Sequence, residues 1–508
     1  MPFKVGIVFN FLQLPDVSKY PFVINKRSDD IIVKKGLFVS TRTIEGYLIG
    51  IIEKIVLINE YFSDALTIKS YNSKNNPNIL KGLFPSDDFE YAIAIVKNLG
   101  IIEFKEDSEK EIRLITRMTY PASPGKEVYL VEEDILNNFI GFDKVYGLNL
   151  GKLRVSNIDA YINMNRLLNK HLAILSISGG GKSYLTSIII EELLTRNKTF
   201  GTPAIIMIDV HGEYKYLSAT STIKNKVKVI DTSYFQISVP RLSAYSFKKY
   251  QEQISNVQIR ELSKYIKMLR KNKDLKNNYN LNNIIDVIEK ESDGNKSTKQ
   301  ALVGWLSDLE RLTLFGSQEN PILKKVINQG EITIFNLQNE ISIRKKQIMV
   351  DYICSRLFYL RRMNEIPPFL LIIEEAHQFA PEAAHSKALS KHIIETVARE
   401  GRKFMACLCL ISQRPKKLST TALSQINSKL ILNIKNPYDL KHLMDSSEAI
   451  TKEYADMISS LGVGEMLLMG NAVNYPIFLK IRERKLTSQI ENISLAQVCL
   501  NWKKFQSV

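Results

Sequence analysis

Residues 172–187, LAILSISGGGKSYLTS, run from an apolar stretch into three consecutive glycines, a lysine and a serine, and then become apolar again. Few folds accept that order. A buried strand has to stop, the chain has to turn through positions without a Cβ, and a helix has to start at once. Gly, four residues, then Gly-Lys-Ser/Thr between a strand and a helix is a phosphate cradle, because successive backbone N–H groups converge on phosphate oxygens. Gly179, Gly180 and Gly181 clear the space, with Ser178 before them. Lys182 is placed to reach the β- and γ-phosphates, and Ser183 to ligate Mg²⁺. The helix from Tyr184 turns its positive end toward the anion. Ser176 stands where the pattern has its first glycine, so either it keeps an ordinary φ or the loop is reshaped.

The flanking sequence specifies a matching sheet. From residue 171 the runs HLAILSI, AIIMIDV, KVKVID, EITIFNL, FLLIIEE, MACLCLIS and KLILNI alternate with longer helical stretches. Continuous apolar strands separated by helices predict a parallel α/β sheet buried on both faces. Between 236 and 328 no strand is expected; Ile259, Leu262, Ile266 and Leu269 recur at helical spacing, which predicts a helical insertion. Residues 1–150 differ: VGIVFNF, GYLIGIIEKIVLI, YAIAIVKNLGIIEF and EVYLVEE are short β-rich segments between turns, the pattern of a small barrel or sandwich, with room for a helix near 87–98. At 508 residues two or three domains are expected. We divide the chain into an N-terminal β-barrel (1–150), a core in two parts (151–235 and 329–480), the insertion (236–328) and a tail (481–508) ending in a helix.

Lysine and arginine number 69 against 53 acidic residues, a net charge of +16, which points to an acidic partner such as nucleic acid. The four cysteines (Cys354, Cys407, Cys409, Cys499) form no CxxC pair and have no histidine cluster, which argues against zinc or a disulfide framework. No run of 18 apolar residues occurs, and the apolar start is broken by Pro15 and Asp16, so it reads as a strand. A cytoplasmic protein without a membrane anchor is expected.

Three further segments carry hydrolytic chemistry. In FLLIIEEAHQFAP a buried strand delivers Glu374 and Glu375 at its C-terminal end. The first suits Mg²⁺ and the second an attacking water. In AIIMIDVHGEYKYL, Asp209 or Glu213 suits the outer sphere of the metal or a neighbouring subunit, while His211 alone is a poor ligand. In ETVAREGRKFMACLCLISQRP, Gln413 leaves a strand end where it can sense a γ-phosphate. Arg402, and after it Arg399, are candidates for a finger that neutralises charge from the adjacent subunit.

The series SISGGGKS, IDVHGEYKYL, LLIIEEAHQFAPE, AREGRKFMACLCLISQRPKKLS and GEMLLMGNAVNYP resembles the HerA branch of the FtsK–HerA ATPases, from about residue 115 to 485. That resemblance implies a RecA-like P-loop ATPase core behind the β-barrel, with ATP and Mg²⁺ as cofactors. It also implies a homohexameric ring moving along double-stranded DNA, acting with a NurA-type nuclease in end resection and repair. The tail would brace an adjacent subunit. Glu374 stands where such ATPases more often carry Asp. Lys215, Lys416 and Lys417 are candidates for pore contacts with phosphates. An ATP-gated hexameric scaffold that switches a nuclease or defence effector is the alternative, and a conjugation-type secretion ATPase shares the same core.

Overall fold

The computed structural model describes residues 3–10, 14–25, 33–59, 62, 68–69, 90–105, 108–272, 278–293, 295–382, 387–447 and 450–486. The chain divides into two compact units. The first comprises Met1–Gly147, Gly151–Asn163 and Val473–Lys480; the second comprises Leu148–Leu150, Met164–Ala472 and Ile481–Val508.

The first unit is built on β1 (Lys4–Val8), β2 (Lys19–Ile24), β3 (Phe38–Thr43), β4 (Gly46–Asn59), β5 (Glu90–Lys105), β6 (Ser108–Thr116) and β7 (Glu127–Leu130). Antiparallel pairing runs β1–β2–β5–β4–β3–β7 and back to β1, closing six strands into a barrel, while β6 extends from β5. Closure removes the free edges that such apolar strands would otherwise expose to other chains. Alternate residues point inward, so Val5, Tyr20, Phe22, Val39, Leu48, Val96 and Val128 share one core. The long strand β4 bends around that core at two register shifts, between Ile49 and Gly50 and between Ile52 and Lys54. A Cβ on Gly50 would lie 2.3 Å from a Val96 methyl, so glycine permits the bend. Residues 90–98, where a helix had seemed possible, are the first half of β5. That strand pairs with both β2 and β4, and two ladders outweigh the local helical preference of its alanines.

The chain continues through β8 (Gly147–Leu153) and β9 (Asp159–Asn163), so the expected division at 150 falls inside a strand. The second unit holds β10 (Leu172–Leu175), β11 (Ala204–Asp209), β12 (Val227–Asp231), β13 (Ile237–Ser238), β14 (Phe315–Gly316), β15 (Ile332–Asn336), β16 (Phe369–Ile373), β17 (Ala406–Ser412), β18 (Ser428–Ile431) and β19 (Glu465–Met469). The main sheet runs β12-β15-β11-β16-β17-β10-β18-β19, parallel except for β19. Every residue of β10, β11, β15 and β16 is buried, as continuous apolar runs require. The insertion contains helices Ala244–Tyr250, Asn256–Lys271, Leu281–Lys290 and Lys296–Glu310, the first three opened by capping boxes at Ser243, Ser255 and Asn280. It also contains the β13–β14 ladder, a strand pair where none was expected. Two residues per strand are too few to show a period of two. No helix among the described residues is long and apolar enough to cross a membrane.

The segment after residue 481 returns to the helix that follows the phosphate loop, Lys182–Thr195. Arg482 Nη2 lies 2.5 Å from Glu191 and 2.7 Å from Glu192. The second oxygen of the buried Glu191 accepts the backbone N–H groups of Lys485 at 2.9 Å and Leu486 at 2.8 Å. The helix expected at the end of the tail, and Cys499, lie outside the described residues. Removing one member of a buried ion pair strands the other, at a cost of about 3 kcal/mol or more. Arg482→Ala should therefore lower the unfolding free energy read from urea titration by that order, whereas Lys485→Ala, whose contribution is a backbone N–H and an exposed ammonium, should leave it nearly unchanged.

Candidate functional site

The site is built from strand ends. β10 lies between β17 and β18 with Leu175 opposite both Ser412 and Ile431, and β16 flanks β17 with Ile373 opposite Leu410. One residue beyond each strand come Ser176, Gln413 and Glu374. Parallel registry therefore brings the glycine-rich loop, Gln413 and the paired acids to one rim, where open α/β sheets bind ligands.

Ser176 takes no left-handed φ; it is fully buried, and its hydroxyl donates to the Ile177 carbonyl at 3.0 Å. Space for that hydroxyl comes from Gly180, because a Cβ there would stand 2.0 Å from Ser176 Oγ. The departure from the usual pattern is thus accommodated one turn further on. Gly179 and Gly181 have φ of +73° and +93°, conformations that glycine enters without strain. Ser178 and Gly179 are exposed at the apex. Gly181 caps the helix Lys182–Thr195 and no side chain accepts from its first N–H groups, which leaves them for an anion.

Lys182 is only 6% exposed. Burial pulls its pKa down, while the charges of Glu375, Glu374 and Glu213 act to hold it up, so the ammonium lies in the field of all three. Ser183 is half-buried at the start of the helix. Beside it the Tyr184 hydroxyl accepts the N–H of Arg484 at 2.9 Å, and the Arg484 guanidinium lies 4.4 Å above the ring.

The two acids differ in their surroundings. Glu374 is buried and accepts the Val210 N–H at 3.1 Å. Burial, followed by the charges of Asp209 and Glu213, pushes its pKa up to about 8. Glu375 stands on a left-handed backbone with φ +46°, a conformation held by its surroundings rather than by preference. Its Oε1 accepts from Gln413 Nε2 at 2.6 Å, and its Oε2 lies 3.3 Å from His377 Nδ1. No group of three or more acidic, histidine or cysteine side chains among the described residues forms a metal cage. Mg²⁺ needs less than that, since it keeps waters and binds substrate phosphates besides one or two protein oxygens. Ser183 and Glu374 fit such a role: a buried carboxyl pushed toward its neutral form by neighbouring acids is one that a divalent cation would return to the charged form.

Asp209 is buried at the same rim. Its carboxylate accepts three backbone N–H groups, from Gly212 at 2.7 Å, Glu213 at 3.2 Å and Tyr214 at 3.0 Å, so it shapes the HGEY turn. Glu213 is exposed and contributes charge to the rim, and His211 is exposed. Arg399 and Arg402 are exposed beyond the opposite end of β17. Seven extended residues separate that end from Gln413, roughly 20 Å, so the sheet does not bring either arginine to this chain's own phosphate loop. Lys215 donates to Gln338 at 3.0 Å, the Lys416 ammonium sits 4.6 Å over the Tyr438 ring, and Lys417 is exposed on the rim.

Sequence reasoning missed three nearby residues. Arg414 and His377 lay within quoted motifs without a role, and the charge of Arg414 reaches His377. Arg484 has no local signal, because its partner Tyr184 is 300 positions away. A separate concavity of about 870 Å³ opens among Lys249, Arg344, Lys391 and His392. Its cations are partly engaged, with Lys249 on Asp351 and Lys391 near Glu395.

A phosphate loop, two acids and a polar sensor on one rim of a parallel sheet define a P-loop ATPase. Residues 148–357 match the family model described as the central domain of helicase HerA. A Methanocaldococcus jannaschii protein named as a probable helicase is 28% identical over 494 residues, covering 93% of this chain and 90% of its own. The DNA double-strand break repair helicase HerA of Pyrococcus furiosus is 28% identical over 527 residues, covering 91% of this chain and 90% of its own. Among solved structures, VirB4 of Thermoanaerobacter pseudethanolicus matches with a TM-score of 0.52 at 14% identity, over 68% of this chain and 98% of that one, a likeness of fold. Over most of its length the chain is thus similar to helicases of the HerA type.

The fit of Ser176 against Gly180 is testable as a coupled pair. Gly180→Ala should weaken binding of a fluorescent ATP analogue about tenfold, equivalent to about 1.4 kcal/mol. Ser176→Gly alone should leave binding within about twofold, and the double variant should recover most of the loss, because the clashing hydroxyl is gone.

Proposed function

We propose that this chain is an ATP-driven motor of DNA repair that works in the cytoplasm as a homohexameric ring on double-stranded DNA, together with a NurA-type nuclease. The observation that carries the reading is the engagement of Glu375 by Gln413 at 2.6 Å, within the field of Lys182. Backbone N–H groups of residues 178–184 hold the triphosphate, and Lys182 lies against its β- and γ-phosphates. Ser183 and Glu374 hold Mg²⁺, which when bound offsets charge on the transferred phosphoryl group. Glu375 orients and deprotonates the water. Gln413 is the sensor: a γ-phosphate competes with Glu375 for its amide, which ties release of the carboxylate to a loaded site.

The placement of two arginines supports the ring. Arg402 and Arg399 project from the far end of the sheet, so they reach a nucleotide only in another copy of the chain. DNA as the track is supported by the +16 charge and by relatives named as double-strand break repair helicases. Lys215, Lys416 and Lys417 are the proposed phosphate contacts, and the tail is proposed to brace the neighbouring subunit.

ATP turnover with and without linear duplex DNA tests this reading. Duplex should stimulate turnover, the stimulation should fade as salt rises, and Glu375→Gln should lower the rate by about 100-fold or more. Turnover indifferent to duplex at low salt would instead favour the ATP-gated scaffold, with its effector as the activating partner.

A further inference from the structure

The turn after Glu375 carries a side chain that the hydrolytic scheme leaves unused. His377 lies on the short helical turn Ala376–Gln378. Its Nδ1 stands 3.2 Å from Ser412 Oγ and 3.3 Å from Glu375 Oε2. Ser412, the fully buried last residue of β17, uses the same hydroxyl to accept the Arg414 N–H at 3.1 Å. The opposite oxygen of Glu375 belongs to Gln413. His377 thus connects the catalytic acid to the strand that carries the sensor.

The position of the imidazole proton follows from its neighbours. A bare Nδ1 would aim a lone pair at a carboxylate oxygen 3.3 Å away. With its proton on Nδ1, the neutral ring has Ser412 Oγ and Glu375 Oε2 within reach as acceptors. We propose that His377 is a positioning residue for the catalytic carboxylate, its Nδ1–H holding Glu375 Oε2 against the end of β17 while Oε1 is released to the attacking water. The division of the two oxygens gives this contact its purpose. Gln413 must leave Oε1 when a γ-phosphate claims its amide, and at that moment a glutamate on a left-handed backbone would be free to swing away. The histidine keeps the other oxygen fixed through that exchange.

The inference rests on Glu375 acting as the base, and the experiment separates the two claims. ATP turnover and affinity for a fluorescent ATP analogue would be measured on the full chain for wild type, Glu375→Gln, His377→Ala, His377→Asn and His377→Gln. An asparagine amide nitrogen falls near the place of Nδ1, and a glutamine amide nitrogen near that of Nε2. His377→Ala should lower kcat by roughly 10- to 100-fold, the scale of a misplaced catalytic group, with analogue affinity unchanged within about twofold. His377→Asn should recover much of that rate and His377→Gln should not. A fully active alanine variant, equal rates for Asn and Gln, or a loss that appears in affinity instead of kcat would overturn the role of His377. Should the alanine variant fail to fold, the comparison of Asn with Gln still decides. Turnover that survives in Glu375→Gln would overturn the assignment of Glu375 itself, and the role of His377 with it.

Discussion

Everything at the site depends on the parallel registry of β10 between β17 and β18 with β16 alongside. Parallel strands end on the same side, so three segments far apart in the chain deliver phosphate-binding N–H groups, paired acids and an amide sensor to one rim. An antiparallel neighbour would send its turn to the other edge. The single antiparallel strand of this sheet portion, β19, lies outside the catalytic group of strands, beyond β18. The arginines at the opposite end of β17 follow from the same geometry: one strand carries Gln413 at the rim of the phosphate loop and cations at its other end.

Buried carboxylates divide into two classes, and their partners distinguish them. Asp209 and Glu191 are satisfied within the fold, the first by three backbone N–H groups of one turn, the second by Arg482 and two N–H groups of the returning segment. Both are structural groups whose charge is answered locally. Glu374 has one backbone donor, and burial followed by the charges of Asp209 and Glu213 pushes its pKa up to about 8. That mismatch between burial and satisfaction sets it apart from the other two carboxylates. Glu375 instead accepts from the neutral amide of Gln413 and has the His377 ring 3.3 Å from its other oxygen, so no fixed cation answers its charge.

Much of the site was legible because its motifs are local. The Glu374–Glu375 pair and Gln413 directly follow apolar strands and SGGGKS begins three residues after one, and strand-then-polar is a short-range signal. Ser176 was legible as an anomaly only; its resolution needed Gly180, four residues away but facing it across the loop. The sequence placed Asp209 and Glu213 at the rim, but that Asp209 accepts three N–H groups of its own turn could be read only from the folded turn. His377 was visible as a letter in a motif and became informative only when β17 placed Ser412 beside it. Arg484 could not be read at all, since a cation above an aromatic ring 300 positions earlier leaves no trace in local spacing.

The sequence by itself determined the class of the fold and the chemistry. Runs of buried strand residues favour a parallel sheet, the glycines before Lys182 allow the left-handed turn from strand into helix, and apolar periodicity specifies the helices of the insertion though not its short β13–β14 pair. Those are short-range constraints set by burial, by Cβ sterics and by backbone hydrogen bonding. Tertiary structure alone decided which strands are neighbours, and hence which carboxylate is shielded, which is satisfied and which is left to meet a metal. It decided as well that β4 and β5 bend into a closed barrel, and that the segment after residue 481 returns to the phosphate-loop helix through Arg482. Strand order and long-range ion pairs depend on how units that are each locally stable pack against one another, and that information is carried by shape and charge across hundreds of residues.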